Sequence, residues 1–340
     1  MRVRTADAGK EKPVRAGVWR AVTAVALLVA GMGLAAGCRS RPAPAAPVRP
    51  AYDGPLLTVE QVVAELAARA GAVRTVWARH DYVVRLLERT RTGERVRTLD
   101  GDGVLLMRKP PAGSAASAPV ELRLQGSKDV LGTVFDLGSN RERAWLVLYA
   151  DIDTMYWTTL GEADAFDADD GAGDAGEPAR MPARPELLAE VLGVSDWSTD
   201  LTRYPTPVMR YESEADAYVL TLVEPAPTGL HLVGRREYWV DRATLQVRRV
   251  VLRGRDGREV VRSELADYGE VEGARGGAAE PGAAVGAGRL ARDITVVFPQ
   301  SGTTIRLTLR SVSARRGALP SDASFRFPDP PPVQRVVRVR

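Results

Sequence analysis

Thr303-Thr304-Ile305-Arg306-Leu307-Thr308-Leu309-Arg310-Ser311-Val312-Ser313 alternates cleanly from Ile305 to Arg310. Ile305, Leu307 and Leu309 point one way, and Arg306, Thr308 and Arg310 point the other. A two-residue period marks a strand in a sheet with one dry and one wet face. Strand signals recur upstream over 81–91, 95–107, 120–126, 131–138, 143–150, 154–160, 207–213, 217–224, 229–240, 245–253, 258–268 and 291–298. The links between them carry turn chemistry at Asp100-Gly101-Asp102-Gly103, Gly138-Ser139-Asn140, Asp241-Arg242-Ala243-Thr244 and Arg255-Asp256-Gly257-Arg258. Links this short join antiparallel neighbours, so the chain reads as mainly β, a meander with a few helices. Leu245, Val247 and Val251 share a face with Arg249, opposite Gln246 and Arg248. Ala144-Trp145-Leu146-Val147-Leu148-Tyr149 is apolar on both sides, which predicts a strand covered on both faces or lining a cavity.

Ahead of the strands lies the clearest helix signal, from Thr58 to about Ala78. Thr58 and Gln61 make a capping box after Leu57, and Val59, Val62, Val63, Leu66, Ala70, Val73 and Trp77 recur at helical steps. Such a stripe must lie on something. A second, short helix is expected over Pro185–Leu192, with Gly193 placed to end it. Residues 161–182 are acidic and rich in Gly and Ala, and 270–290 form a similar patternless insertion. Phe325-Arg326-Phe327-Pro328 begins the closing segment.

The N-terminal end has another character. Arg2, Arg4, Lys10, Lys12, Arg15 and Arg20 precede the run Ala21–Gly37, apolar but for Thr23, and Cys38 follows small residues. That order describes a secretory signal over 1–37. The sequence Leu34-Ala35-Ala36-Gly37-Cys38 resembles the bacterial lipoprotein lipobox, with the leucine one place early. The resemblance implies that the Cys38 thiol, the only one in the chain, is acylated and becomes the new N-terminus. Residues 38–56, rich in Pro and Ala, then form a lipidated flexible tether, and 57–340 the folded domain.

With the leader removed, the charge picture changes. Of 47 Lys+Arg and 43 Asp+Glu, six and two lie in 1–37, leaving 41 of each. A net charge of zero removes the support for a nucleic-acid partner. Once Cys38 is acylated no disulfide is left to form within the chain, so an apolar core must carry stability.

Little in the chain points to an enzyme. His80 and His231 stand far apart with no spaced ligand set, so neither a metal nor a cofactor is expected. No Gly-x-Ser-x-Gly, P-loop or dinucleotide fingerprint occurs. The acidic run Asp167–Asp174 lacks the closing Glu of an EF-hand and reads as a solvated loop. The aromatic residues of the strands read as core, or as the wall of an apolar pocket.

The helix leading into a meander, the stretch Leu131–Ser139, the hairpin Tyr238–Thr244 and the terminal Phe-x-Phe-Pro together resemble the LolA/LolB-like superfamily of bacterial lipoprotein carriers. The resemblance implies an incomplete antiparallel β-barrel whose long N-terminal amphipathic helix lids a concave apolar face. It also implies binding of an acyl chain or another hydrophobic ligand, in lipoprotein or lipid transfer at the outer membrane, facing the periplasm. Arg39 after the cysteine, in place of the Asp that resembles an inner-membrane retention signal, implies outer-membrane delivery. No catalytic residue is then expected, only a lining, assigned to Val62, Leu66, Trp77, Leu131, Phe135 and Trp145. The rival reading is a filled, ligand-free envelope scaffold or assembly partner.

Overall fold

The computed structural model describes residues 52–90, 93–110, 119–149, 154–160, 187–226, 229, 231–254, 256–274, 288–314, 321–329, 333 and 335–338. Cys38, the tether up to residue 51, the acidic insertion 161–182 and residues 275–287 lie outside that set. All thirteen expected strands form: β1 (Thr75–Thr90), β2 (Gly93–Arg108), β3 (Glu121–Lys128), β4 (Gly132–Ser139), β5 (Arg143–Leu148), β6 (Thr154–Thr159), β7 (Thr206–Glu212), β8 (Ala217–Pro225), β9 (Leu232–Asp241), β10 (Val247–Arg253), β11 (Glu259–Glu270), β12 (Arg289–Phe298) and β13 (Thr303–Ser313). A fourteenth, β14 (Arg335–Arg338), was not legible in the Val-rich tail.

One sheet holds them all, in the order β14-β6-β5-β4-β3-β2-β1-β13-β12-β11-β10-β9-β8-β7. It is two consecutive meanders, β1–β6 and β7–β13, joined where β13 pairs with β1. Every pairing is antiparallel except β14 with β6. The two end strands, β7 and β14, are not paired with each other, so the sheet is open.

Turn chemistry sets several of the links as expected. The Asp241 carboxylate accepts from the amides of Ala243 and Thr244 and from the Thr244 hydroxyl, closing the β9–β10 turn. The Asn140 side-chain oxygen accepts from the amides of Glu142 and Arg143 between β4 and β5. Asp100–Gly103 corrects the reading: it is the middle of β2, not a turn. Its glycines serve the neighbouring strands, as shown below.

The N-terminal helix is also shorter than its stripe suggested. α1 runs from Val59 to Ala72 behind the expected Thr58/Gln61 capping box. Val73 has already left the helix (φ −110°, ψ 83°), and β1 starts at Thr75. The β-branched run Val73, Thr75, Val76 favours the extended chain over another helical turn. Trp77 therefore belongs to β1.

Val62, Val63, Leu66 and Val73 are buried in one cluster with Val76, Ala78, Tyr82 and Val84 of β1 and the inward residues of every strand from β2 to β6 and β8 to β13. β10 departs from simple alternation. A register shift between Val247 and Arg249 changes its phase, so Val247, Val250 and Leu252 join this cluster while Val251, expected beside Val247, does not. On the opposite face of the sheet, Trp145, Val147 and Met155 form a second cluster with Tyr149, Trp157, Phe327 and Val333. The closing segment thus covers the doubly apolar β5, the first of the two outcomes its sequence allowed.

Candidate functional site

Two elements lie on the inner cluster without being part of the sheet. One is α1. The other is the segment from Leu187 to Trp197, containing the short helix α2 (Leu188–Val191). Leu187, Leu188, Val191, Leu192 and Val194 are buried, and Gly193 turns the chain at φ +68° where a side chain would meet Leu265. Between the two elements is a hollow of about 40 Å³, bordered by Leu66 and Ala70 of α1, Val73 just after it, Val194 and Trp197, and Val247 and Tyr268 below. Arg69, Gly193, Leu245, Gln246 and Arg289 complete its lining. A water needs roughly 10–15 Å³ of such space and a drug-sized ligand several hundred, so the hollow takes water molecules but no acyl chain in this conformation.

Polar ties, rather than backbone pairing, hold the two covers down. Lys109, at the end of β2, is buried; its Nζ donates to the Ala70 carbonyl of α1 at 2.7 Å and to Asp196 at 2.9 Å. Burial pushes the Lys109 ammonium pKa down, and the Asp196 carboxylate opposes that shift. Arg69 donates to the carbonyls of Thr244 (2.6 Å) and Leu245 (2.9 Å) in the β9–β10 turn. On α2, the Glu190 carboxylate accepts from Tyr238 of β9 and from Ser195 (2.7 Å), and faces Arg236 at 3.3 Å. Burial pushes the Tyr238 hydroxyl pKa well up, with the Glu190 charge adding to it, so Tyr238 remains a donor. The Trp197 ring meets Tyr238 edge-on at 4.7 Å.

The other half of the inner face is closed by rings lying on glycines. Tyr82 and His80 of β1 reach across β2 at Gly101 and Gly103 to the carbonyls of β3: Tyr82 Oη donates to Ser127 O at 3.2 Å, and His80 Nε2 lies 3.1 Å from Gln125 O. A Cβ on Gly103 would stand 1.9 Å from Gln125 O and 2.8 Å from the His80 ring. Phe135 lies over Gly126 in the same way and meets Tyr82 edge-on at 5.0 Å. Glycine in a strand is what permits so close an approach. Burial lowers the His80 pKa, so the ring sits neutral in this floor.

The structure separates the six residues assigned to a lining. Val62, Leu66 and Phe135 join the inner cluster, and of these Leu66 borders the hollow. Phe135 belongs to the ring-on-glycine floor. Trp77 alternates with Val76 and Ala78, outside the inner cluster, because α1 ended before reaching it. Trp145 alternates with Leu146 and packs on the opposite face, edge-on to Phe327 at 5.8 Å. Leu131 is 67% exposed in the single turn before β4. Trp197, one of the aromatic residues that read as core or as the wall of an apolar pocket, does border the hollow, whereas Lys109, Glu190 and Tyr268 were not foreseen. Only Lys109 carried a signal, as one of two lysines beyond the leader.

Neither a protein-family model nor a curated protein matches this chain. Its neighbours among solved structures include a DUF1329 family protein from Desulfovibrio piger (14% identity, TM-score 0.44, covering 78% of this chain and 97% of the other). A second is a putative outer membrane lipoprotein-sorting protein domain from Vibrio parahaemolyticus (14%, TM-score 0.39, 78% and 95%). A LolA superfamily protein from Nitrosomonas europaea is a third (12%, TM-score 0.37, 78% and 97%).

Proposed function

We propose that this chain is an envelope lipoprotein, anchored through acylated Cys38 at the periplasmic side of the outer membrane, that takes up an acyl chain or similar hydrophobic ligand beneath α1 and the 187–197 segment. The observation that carries this reading is the way the dry face is covered. Two separate elements press apolar side chains on it, a hollow lies between them, and a handful of side-chain ties hold both in place. Parting them exposes a surface whose burial is worth roughly 25 cal/mol per Å², which an acyl chain recovers without specific polar contacts. Transfer of lipoproteins or lipids follows as the role of such a binder, and the chemistry needs no catalytic group.

The small size of the hollow favours the rival reading, a filled scaffold. Native mass spectrometry of protein extracted without detergent, together with titration of a fluorescent fatty acid, separates the two. The carrier shows a non-covalent lipid in addition to the acyl groups on Cys38, and Leu66→Trp, which fills the hollow, loses fatty-acid binding. A folded wild type that carries no lipid and binds no fatty acid is a scaffold.

A further inference from the structure

Nine large apolar side chains are exposed among the described residues, and five of them gather at one edge of the sheet. Tyr204, Val208 and Tyr211 follow one another along β7 and its approach, while Tyr52 and Leu56 lie where the chain joins the domain; all five are 41–63% exposed. Arg242 ties the two groups together. Its guanidinium lies 5.3 Å from the Tyr52 ring and 5.2 Å from the Tyr211 ring, and donates to the Gly54 carbonyl and to Asp216. The Tyr52 amide donates to the same Asp216 carboxylate at 2.8 Å. The Leu57 amide donates to Tyr218, the β8 partner of Tyr211.

We infer that this edge is a membrane-contacting surface, seated on the interfacial region of a neutral phospholipid bilayer. The inference rests on reading Cys38 as the acylated anchor. Cys38 and Tyr52 are only 14 positions apart. Fully extended, that chain spans at most roughly 50 Å. The residues nearest the anchor are therefore the ones held against the lipid, and tethering gives them a local concentration on the order of millimolar. Tyrosine suits the position, with an apolar ring and a polar tip.

Charge selects the lipid class. Arg203 pairs with Asp200 (3.0 Å), Arg210 with Glu212 (2.6 Å) and Arg242 with Asp216 (3.1 Å), so the edge itself, unlike the tether with Arg39, Arg41 and Arg49, offers anionic headgroups no basic excess. A second copy adding its own edge strand fits less well, because Pro207 removes a backbone donor from β7.

The test uses the full lipidated protein in phosphatidylcholine vesicles. Because the one native cysteine is acylated, Val208→Cys and, as a control far along the sheet, Val96→Cys each take a single environment-sensitive fluorophore; Val96 is 61% exposed on β2. The label at 208 shifts to the blue and is quenched by doxyl-labelled lipid, and Leu56→Ser in the same chain reduces both effects. The label at 96 shows neither, and added salt changes neither. Equal emission at the two positions in protein that floats with the vesicles overturns the surface while leaving the anchor intact. An unmodified Cys38 by mass spectrometry, with no flotation, overturns anchor and surface together. Energy transfer between labels at 208 without vesicles identifies a second copy as the occupant and overturns the lipid assignment.

Discussion

The two ends of this sheet are closed in opposite ways. From β1 to β4 the inner face is floored by Tyr82, His80 and Phe135, each lying on a glycine of a neighbouring strand. From β9 to β12 no such rings lie on glycines, and α1 with the 187–197 segment does the covering, leaving the hollow between them. The outer faces also differ. Beyond β3 the closing segment shields the sheet, with Phe325 buried, Arg123 bonded to the fully buried Asp136 at 2.6 Å, and Arg143 over the Phe327 ring. Across β10 and β11 polar pairs such as Arg249–Glu264 face water instead. The difference teaches where the ligand of the proposed carrier would enter. A floor made of side chains rooted in strands has no way to open short of unfolding, whereas covers held by side-chain ties can part.

The largest effect expected from breaking this contrast is in the floor. Gly103→Ala forces its Cβ against a backbone carbonyl as well as against His80, and overpacking of this kind costs about 3 kcal/mol. The denaturant midpoint reports it. A midpoint unmoved by the substitution removes the idea of a rigid floor.

A smaller effect comes with pH. His80 is held below its usual pKa by burial, so as pH falls through about 6.5 the unfolded chain takes up a proton that the folded chain refuses. Stability present above that pH is lost below it, with a slope of at most about 1.4 kcal/mol per pH unit, until the folded pKa is reached. Unfolding free energies between pH 7 and 5 should fall less steeply in His80→Gln, which keeps a donor for Gln125 O.

The smallest effect on stability belongs to the hollow. Lys109→Met removes a buried ammonium that burial already penalises and leaves Asp196, half exposed, to water. Removing one partner of an ion pair is costly when the other is left buried, but Asp196 is about half exposed, so stability should move by only about 1 kcal/mol. Fatty-acid association should nevertheless quicken, because the tie between α1 and the 187–197 segment is gone. Stopped-flow fluorescence measures that rate, and a rate equal to wild type would mean that Lys109 is no latch.

The sequence by itself determined the strand content, the capped start of α1, the Asp241 and Asn140 turns and the two apolar faces of β5. Each depends on residues a few positions apart, where periodicity and side-chain-to-backbone bonds act directly. Only the tertiary structure decided the rest. Gly101 and Gly103 read as a turn because the rings that need them come from another strand, and Val251 read as inward because one extra residue in β10 reverses its phase. Trp77 read as a helical residue because the stripe fits both periods for a few positions, until the sheet claimed it. A side chain's surroundings in a curled sheet depend on partners distant in the chain, as Lys109 shows in joining β2 to Ala70 of α1, 39 positions back, and to Asp196, 87 positions on.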